Sequence, residues 1–270
     1  MPDSSFFNND LFHFKHIVLI AVSLAVIVAG TIVTRRFKIK TMYRILMGVG
    51  IVSETVKVFS YVLMNEDRLG GYLPKTDLPF HLCSVQLIFI FILNFSKNEK
   101  IKKLLHAFMY PTCLIGGAMA LLIATSSSRS NWFITVQYFT YHSVIIIFAL
   151  YLLMHERFTV KDYARCLAFL GFMGMAAIYV NSILYDGVSD INFMYVIHPP
   201  VSGIPLFNTD HGWLVYIIEY AVIAVAAVTA CYGKPIVKAL FSGKRGAAPA
   251  EEHRSLDETA EPAGGNTVIE

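Results

Sequence analysis

The stretch Leu78-Pro79-Phe80-His81-Leu82-Cys83-Ser84-Val85-Gln86 decides how the rest of the chain is read. It opens an apolar run that continues through Asn94 and Phe95. The expected element is a membrane-spanning helix whose first two turns are unusually polar. A proline, a histidine, a thiol, a hydroxyl and an amide stand where a lipid-facing helix carries leucine. Polar groups in hydrocarbon are costly, so they face a cavity or other helices and often mark the working site.

Composition agrees with a membrane setting. The 270 residues are 56% hydrophobic and 15% charged, with a mean hydropathy of +0.57. A soluble domain carries about 25% charge. The net charge of +3 carries no nucleic-acid signal. Membrane lipids are the expected partners, and the oligomeric state is left open. All four cysteines lie in apolar runs, so no disulfide framework is expected. No cofactor motif or metal-ligand spacing stands out. Met1 to Asp10 is polar with no basic residue before Ile17 other than Lys15, so the first apolar segment is expected to stay as a helix.

A span needs about 20 apolar residues. The expected fold is all-α, a bundle of seven transmembrane helices at about 16–34, 42–64, 78–95, 104–124, 132–154, 164–185 and 213–233. The second is the least apolar, because it holds Arg44, Glu54 and Lys57. Basic residues set the orientation. One side collects fifteen, among them Arg35, Arg36, Lys102, Lys103, Arg157 and Lys238; the other has four, Lys15, Arg68, Lys75 and Arg129. The positive-inside rule then puts the N-terminus outside and the C-terminus in the cytoplasm. The domains expected are a short outer N-terminus (1–15), a seven-helix membrane domain (16–235) and a disordered cytoplasmic tail (242–270), in a multi-pass protein of the cell membrane. Two outer loops, Asn65 to Asp77 and Asp186 to Gly212, are long enough to be lids or plain connectors.

Helical rise gives depths. Cys83 falls roughly 8 Å below the outer edge, His142 about 15 Å and Glu219 about 9 Å. Gln137 and Tyr138 are shallower than His142, Glu54 lies near the middle with Lys57 one turn further out, and Asn181 is near the outer end of the sixth span. These groups share the outer half, which points to a polar cavity open to the outside or the outer leaflet. Glu54 and Lys57, three residues apart, can pair with each other, so a structural ion pair and a site role both stay open. Glu219 has no partner in its own helix. Arg44 snorkels to headgroups, and His106 reads as structural. Pro111 and Gly116-Gly117 read as a kink or close packing.

Cys83 and His142 have the residue types of a thiol nucleophile and its base. On a helix His81 and Cys83 point about 160° apart. His81 is therefore a hydrogen-bonder or gate, while Cys83 shares a face with Gln86. The base is then expected from another helix: His142 of the fifth span, about one turn deeper than the thiol with Tyr138 placed to orient its ring, or Glu219.

The run Leu78-Pro79-Phe80-His81-Leu82-Cys83 resembles the Leu-Pro-x-His-Leu-Cys signature of the YwaF-type bacterial integral membrane proteins. Asn192-Phe193-Met194-Tyr195 followed by Pro199, the polar second helix and the histidine in the fifth fit as well. The resemblance covers roughly residues 15–235. The chain departs at Asp210-His211-Gly212-Trp213-Leu214-Val215-Tyr216, where the family tends to a Gly-Pro-Trp-Pro-Trp-Tyr-like run. YwaF-type proteins are similar to the transmembrane protein 164 family, implicated in acyl transfer between phospholipids through a cysteine and a histidine. More distantly they resemble membrane lipid-ester hydrolases of the androgen-induced-gene-1 type, which use threonine and histidine. The resemblance implies a lipid acyl site with Cys83 and His142 at the matching positions.

Two functions follow as expectations. In the first, Cys83 attacks a lipid ester and His142 moves the proton. Gln86, Gln137 or Asn181 could donate to the oxyanion, and Glu54, Lys57 and Glu219 would shape a headgroup chamber. The second is a transporter or receptor-like binder with Glu219, Lys57 and His142 as ligand or proton groups. No inverted repeat or matched pair of broken helices supports a common transporter type, and the last span has no lysine for a retinal Schiff base.

Overall fold

The computed structural model describes residues 14–63, 73–124, 132–201 and 209–243. Expectations for the N-terminus before residue 14, for Arg68 and Arg129 and for the tail from 244 onward lie outside them. The described residues form eight α-helices and no strand. They are α1 (Phe14–Thr34), α2 (Ile39–Leu63), α3 (Leu82–Phe95), α4 (Glu99–Leu122), α5 (Trp132–His155), α6 (Val160–Leu184), α7 (Trp213–Cys231) and α8 (Gly233–Gly243).

Five of these, α1, α4, α5, α6 and α7, are long and apolar enough to cross a membrane. The sequence reading expects seven. Of the other two, α2 has 25 residues and carries Arg44, Glu54 and Lys57, and the apolar α3 has only 14 residues. The short α8 was not anticipated; Pro235 fits in its first turn, where a backbone N–H has no helical acceptor.

Two helices form the centre. In α4 and α5 the most apolar windows are 61% buried, against 11% in α6 and α7. The peripheral helices present apolar side chains outward all round, as lipid contact requires. Small residues let the central pair approach. A Cβ on Gly117 would meet the Ile146 side chain at 2.6 Å and the His142 carbonyl at 3.3 Å. Gly117→Val should therefore cost about 1–3 kcal/mol through overpacking, read as a lowered thermal unfolding midpoint in detergent.

Pro111 lies inside α4 and cannot donate to Ala107. The Tyr232 hydroxyl takes that place, donating to the Ala107 carbonyl at 2.8 Å. In return the Tyr110 hydroxyl donates to the Cys231 carbonyl at 3.0 Å. The proline thus becomes the point where α4 is fastened to the end of α7.

The end of the bundle carrying the 35–38 and 96–98 connections is closed by a polar chain. Tyr43 donates to His106 Nε2 at 2.5 Å, and His106 Nδ1 donates to Glu156 at 3.0 Å. The histidine is structural, as the sequence implied. Its hydrogen bond holds the Glu156 carboxyl below its ordinary value of 4.5, helped by the Lys103 charge. A depressed carboxyl pKa adds stability that is complete above the unfolded value and is lost as pH falls through the folded one. Stability should therefore drop on acidification below about pH 4.5, and Glu156→Gln should flatten that drop in pH-resolved melting curves.

The start of α3 is the feature that matters for the site. Leu78 precedes Pro79 and is extended (φ −60°, ψ 151°), as a pre-proline residue prefers. His81 is extended too (φ −67°, ψ 150°), so the helix begins only at Leu82. This corrects the expected span of 78–95. Fourteen residues rise about 21 Å, well short of a hydrocarbon layer of about 30 Å. The far end is level with the start of α2, because Asn94 donates to the Tyr43 carbonyl at 3.1 Å. The whole deficit therefore falls at the Cys83 end, and α3 starts inside the bundle.

Candidate functional site

Contacts fix the depth of that start. The Tyr141 hydroxyl donates to the Cys83 carbonyl at 2.7 Å. Tyr141 lies nine residues into α5, about 13 Å along its axis. Leu82 faces Gly116, at 3.8 Å from a Cβ built there, and Gly116 is about 9 Å from the end of α4 by helical rise. Cys83 is thus deeper than the sequence-derived depth, and stands level with the residue next to His142. The expected mismatch of one helical turn disappears because the helix starts late. The 160° separation of His81 and Cys83 falls for the same reason, since His81 is outside the helix.

Cys83 is the second residue of α3, and His81 at the cap makes no side-chain cap hydrogen bond. The N–H groups of Leu82, Cys83 and Ser84 have no carbonyl acceptor among the described residues; the first bond runs from Val85 N–H to the His81 carbonyl at 3.0 Å. A helix start like this attracts negative charge. The sulfur lies against the Ser84 N–H and hydroxyl and within electrostatic range of Lys57. All four cysteines are free thiols.

His142 is buried on α5. Its Nδ1 lies 2.7 Å from the Tyr138 carbonyl. A carbonyl only accepts, so Nδ1 carries the hydrogen and Nε2 keeps its lone pair. The Tyr138 ring packs on the imidazole at 4.2 Å, while its hydroxyl is committed to the Ala120 carbonyl at 3.0 Å. Tyr138 therefore orients the histidine from two sides.

Lys57 pairs with Glu54 at 2.7 Å and donates to the Asp77 carbonyl at 3.1 Å. It thereby ties α2 to the 3-10 turn Lys75–Asp77, from which the chain runs down to Cys83. Gln137 donates to Ser53 at 2.5 Å, joining α5 to α2. Gln86 is fully buried and donates to Thr112 at 3.0 Å; its carbonyl oxygen lacks a donor among the described residues. Asn181 is spent on backbone. Its amide donates to the Phe193 carbonyl at 3.1 Å and its oxygen accepts from the Phe193 N–H at 2.7 Å. Glu219 is half-buried and makes no hydrogen bond or ion pair among the described residues.

The segment 192–197, which sequence reasoning left as a lid or a connector, folds against the start of α3. The His81 ring contacts Phe193 at 5.1 Å and Tyr195 at 5.5 Å. Met194 and Tyr195 have φ of 57° and 54°, a left-handed pair that costs on the order of 1–3 kcal/mol per residue. The fold holds it with side chains from α7. Tyr220 donates to the Met194 carbonyl at 2.9 Å, Tyr216 to the Tyr195 carbonyl at 2.5 Å, and Trp213 to the Val196 carbonyl at 2.9 Å. Trp213 and Tyr216 thus help to keep the loop in place. A cavity of about 350 Å³ lies beside this loop, lined by Asn181, Tyr185, Asp190, Ile191 and Ile197 among others; Cys83 and His142 do not line it.

Tyr141 and Tyr195 were missed as site residues. Tyr141 could be found only as a neighbour of His142. Tyr195 lay in a quoted motif, but nothing in the sequence brings that motif to His81. Among the described residues no three His, Cys, Asp or Glu side chains gather as metal ligands.

No curated protein and no solved structure matches this chain. A family model does match, over residues 11–232, a range that holds α1 to α7 and both segments that meet at the site. The chain is an all-helical membrane protein and belongs to the TMEM164 family.

Proposed function

We propose that the protein moves acyl chains between membrane lipids, or releases them to water, with Cys83 as nucleophile and His142 as base. Its setting would be the cell membrane, with seven crossings made by α1 to α7, the N-terminus outside and the tail after 242 in the cytoplasm. In this reading 1–15 is a short outer segment and 16–235 the membrane domain. Within the family, the Leu78 to Cys83 run groups the chain with YwaF-type bacterial proteins.

One observation carries the proposal: the thiol sits at the uncapped start of a helix that begins inside the bundle. That position supplies a nucleophile together with first-turn N–H groups that have no carbonyl acceptor among the described residues. His142 Nε2 takes the thiol proton, and the sulfur attacks the ester carbonyl carbon. The carbonyl π electrons move to oxygen, where the first-turn N–H groups of α3 can receive the charge. The intermediate collapses, the C–O bond breaks, and the leaving alkoxide takes the proton from His142. An acceptor hydroxyl or water, deprotonated by His142, then attacks the thioester and returns the thiol. Lys57 keeps the descending segment in place and adds positive charge near the sulfur. Gln86, Gln137 and Asn181 are committed to structural partners, so the backbone is the better oxyanion donor. Glu54 and Glu219 line the approach.

The test is to trap the thioester. Full-length protein in phosphatidylcholine nanodiscs, quenched in acid and digested, should yield the Cys83 peptide heavier by one acyl group and labile to hydroxylamine. Absence of the adduct on Cys83 during active lipid turnover would refute the covalent route.

A further inference from the structure

The left-handed pair Met194-Tyr195 is the most heavily restrained turn near the site. Asn181, Tyr216 and Tyr220 bind the backbone of three successive residues, Phe193 to Tyr195. All of these bonds act on backbone groups, and their combined effect is to aim one side chain. The Tyr195 ring lies on His81, two residues before Cys83 and outside the helix. Its hydroxyl makes no hydrogen bond among the described residues and lies within electrostatic range of the Cys83 sulfur. Every other tyrosine that touches this site is committed. Tyr138 donates to Ala120, Tyr141 to Cys83, Tyr216 to Tyr195 and Tyr220 to Met194. Strained backbone persists where the surroundings over-determine it, and such positions cluster at active sites.

We propose that the Tyr195 hydroxyl is a side-chain oxyanion donor, hydrogen-bonding the ester oxygen that becomes negative when Cys83 attacks. This rests on the acyl-transfer reading. With the α3 N–H groups on one side of that oxygen and the phenol on the other, the loop 192–197 becomes part of the reaction centre. The donor forms no covalent bond. It holds the charge while the C–S bond forms, and keeps its proton when the intermediate collapses.

The experiment uses full-length protein in liposomes with phosphatidylcholine bearing a fluorescent sn-2 chain and a lysophospholipid acceptor. Tyr195→Phe should lower kcat about a hundred- to thousandfold with KM little changed, as for loss of one oxyanion donor. Alkylation of Cys83 by a maleimide should be unaffected, which a collapsed site would not allow. A second variant carries 3-fluorotyrosine at 195, assayed at pH 6, where the phenol keeps its proton; a more acidic donor should raise kcat. A kcat indifferent to both changes, while turnover still requires Cys83, overturns the role of Tyr195 alone. Turnover that survives Cys83→Ala overturns the acyl-transfer reading, and this inference with it.

Discussion

Replacing Cys83 with alanine is expected to bring acyl turnover down to the background of protein-free liposomes. In the proposed route the thiol forms the acyl bond, and alanine has no atom to take its place. Folding should survive the change, because the side chain is half-buried and small, and its neighbours are held through backbone bonds. The Tyr141 hydroxyl, for example, reaches the Cys83 carbonyl, which alanine retains. The three remaining thiols provide the control. Cys113 is sealed in the core, in the interior of α4 and not in the first turn of a helix, and Cys113→Ala should leave turnover near wild type. The measurement is transfer of a fluorescent acyl chain from phosphatidylcholine, with the unfolding midpoint recorded in parallel. Full activity in folded Cys83→Ala would eliminate the nucleophile assigned to this fold.

The second large effect concerns His142. His142→Gln should lower turnover by about 10²- to 10⁴-fold, the usual worth of a positioned general base. The reasoning rests on its tautomer. The Tyr138 carbonyl fixes hydrogen on Nδ1, leaving Nε2 as an acceptor. Glutamine can still donate to Tyr138, but offers no basic nitrogen. In the proposed order the base acts before the thiol attacks, so Cys83 should also react more slowly with iodoacetamide in this variant at neutral pH. Raising the pH should narrow that gap as the thiol ionises without help. If turnover in His142→Gln stayed within threefold of wild type, the base would have to be sought elsewhere, with Lys57 the next group in range of the sulfur.

Much of the architecture was legible in one dimension. Long apolar runs dictate membrane helices wherever they occur, since backbone polar groups in lipid must be satisfied within the segment. The helices α1, α4, α5, α6 and α7 therefore begin and end within a few residues of the expected places. The structural role of His106, the close approach at Gly117 and the Glu54–Lys57 pair were local enough to be read from spacing. The pair's further bond to Asp77 was not, because those residues meet only through the fold.

What the sequence determined by itself is an all-helical membrane protein with a polar segment, Leu78 to Gln86, at the head of an apolar run. Hydrophobic length and residue chemistry are properties of the chain, and need no partner to be read. Tertiary structure decided where α3 begins and what surrounds its start. Pro79 marks the interruption in the sequence, but the extended backbone at His81 survives at depth only because Lys57, Tyr141, Phe193 and Tyr195 close around it. The left-handed turn at Met194-Tyr195 is likewise invisible in a string of non-glycine residues. It exists because Asn181, Tyr216 and Tyr220, remote in sequence, converge on three consecutive backbone positions and outweigh its local strain.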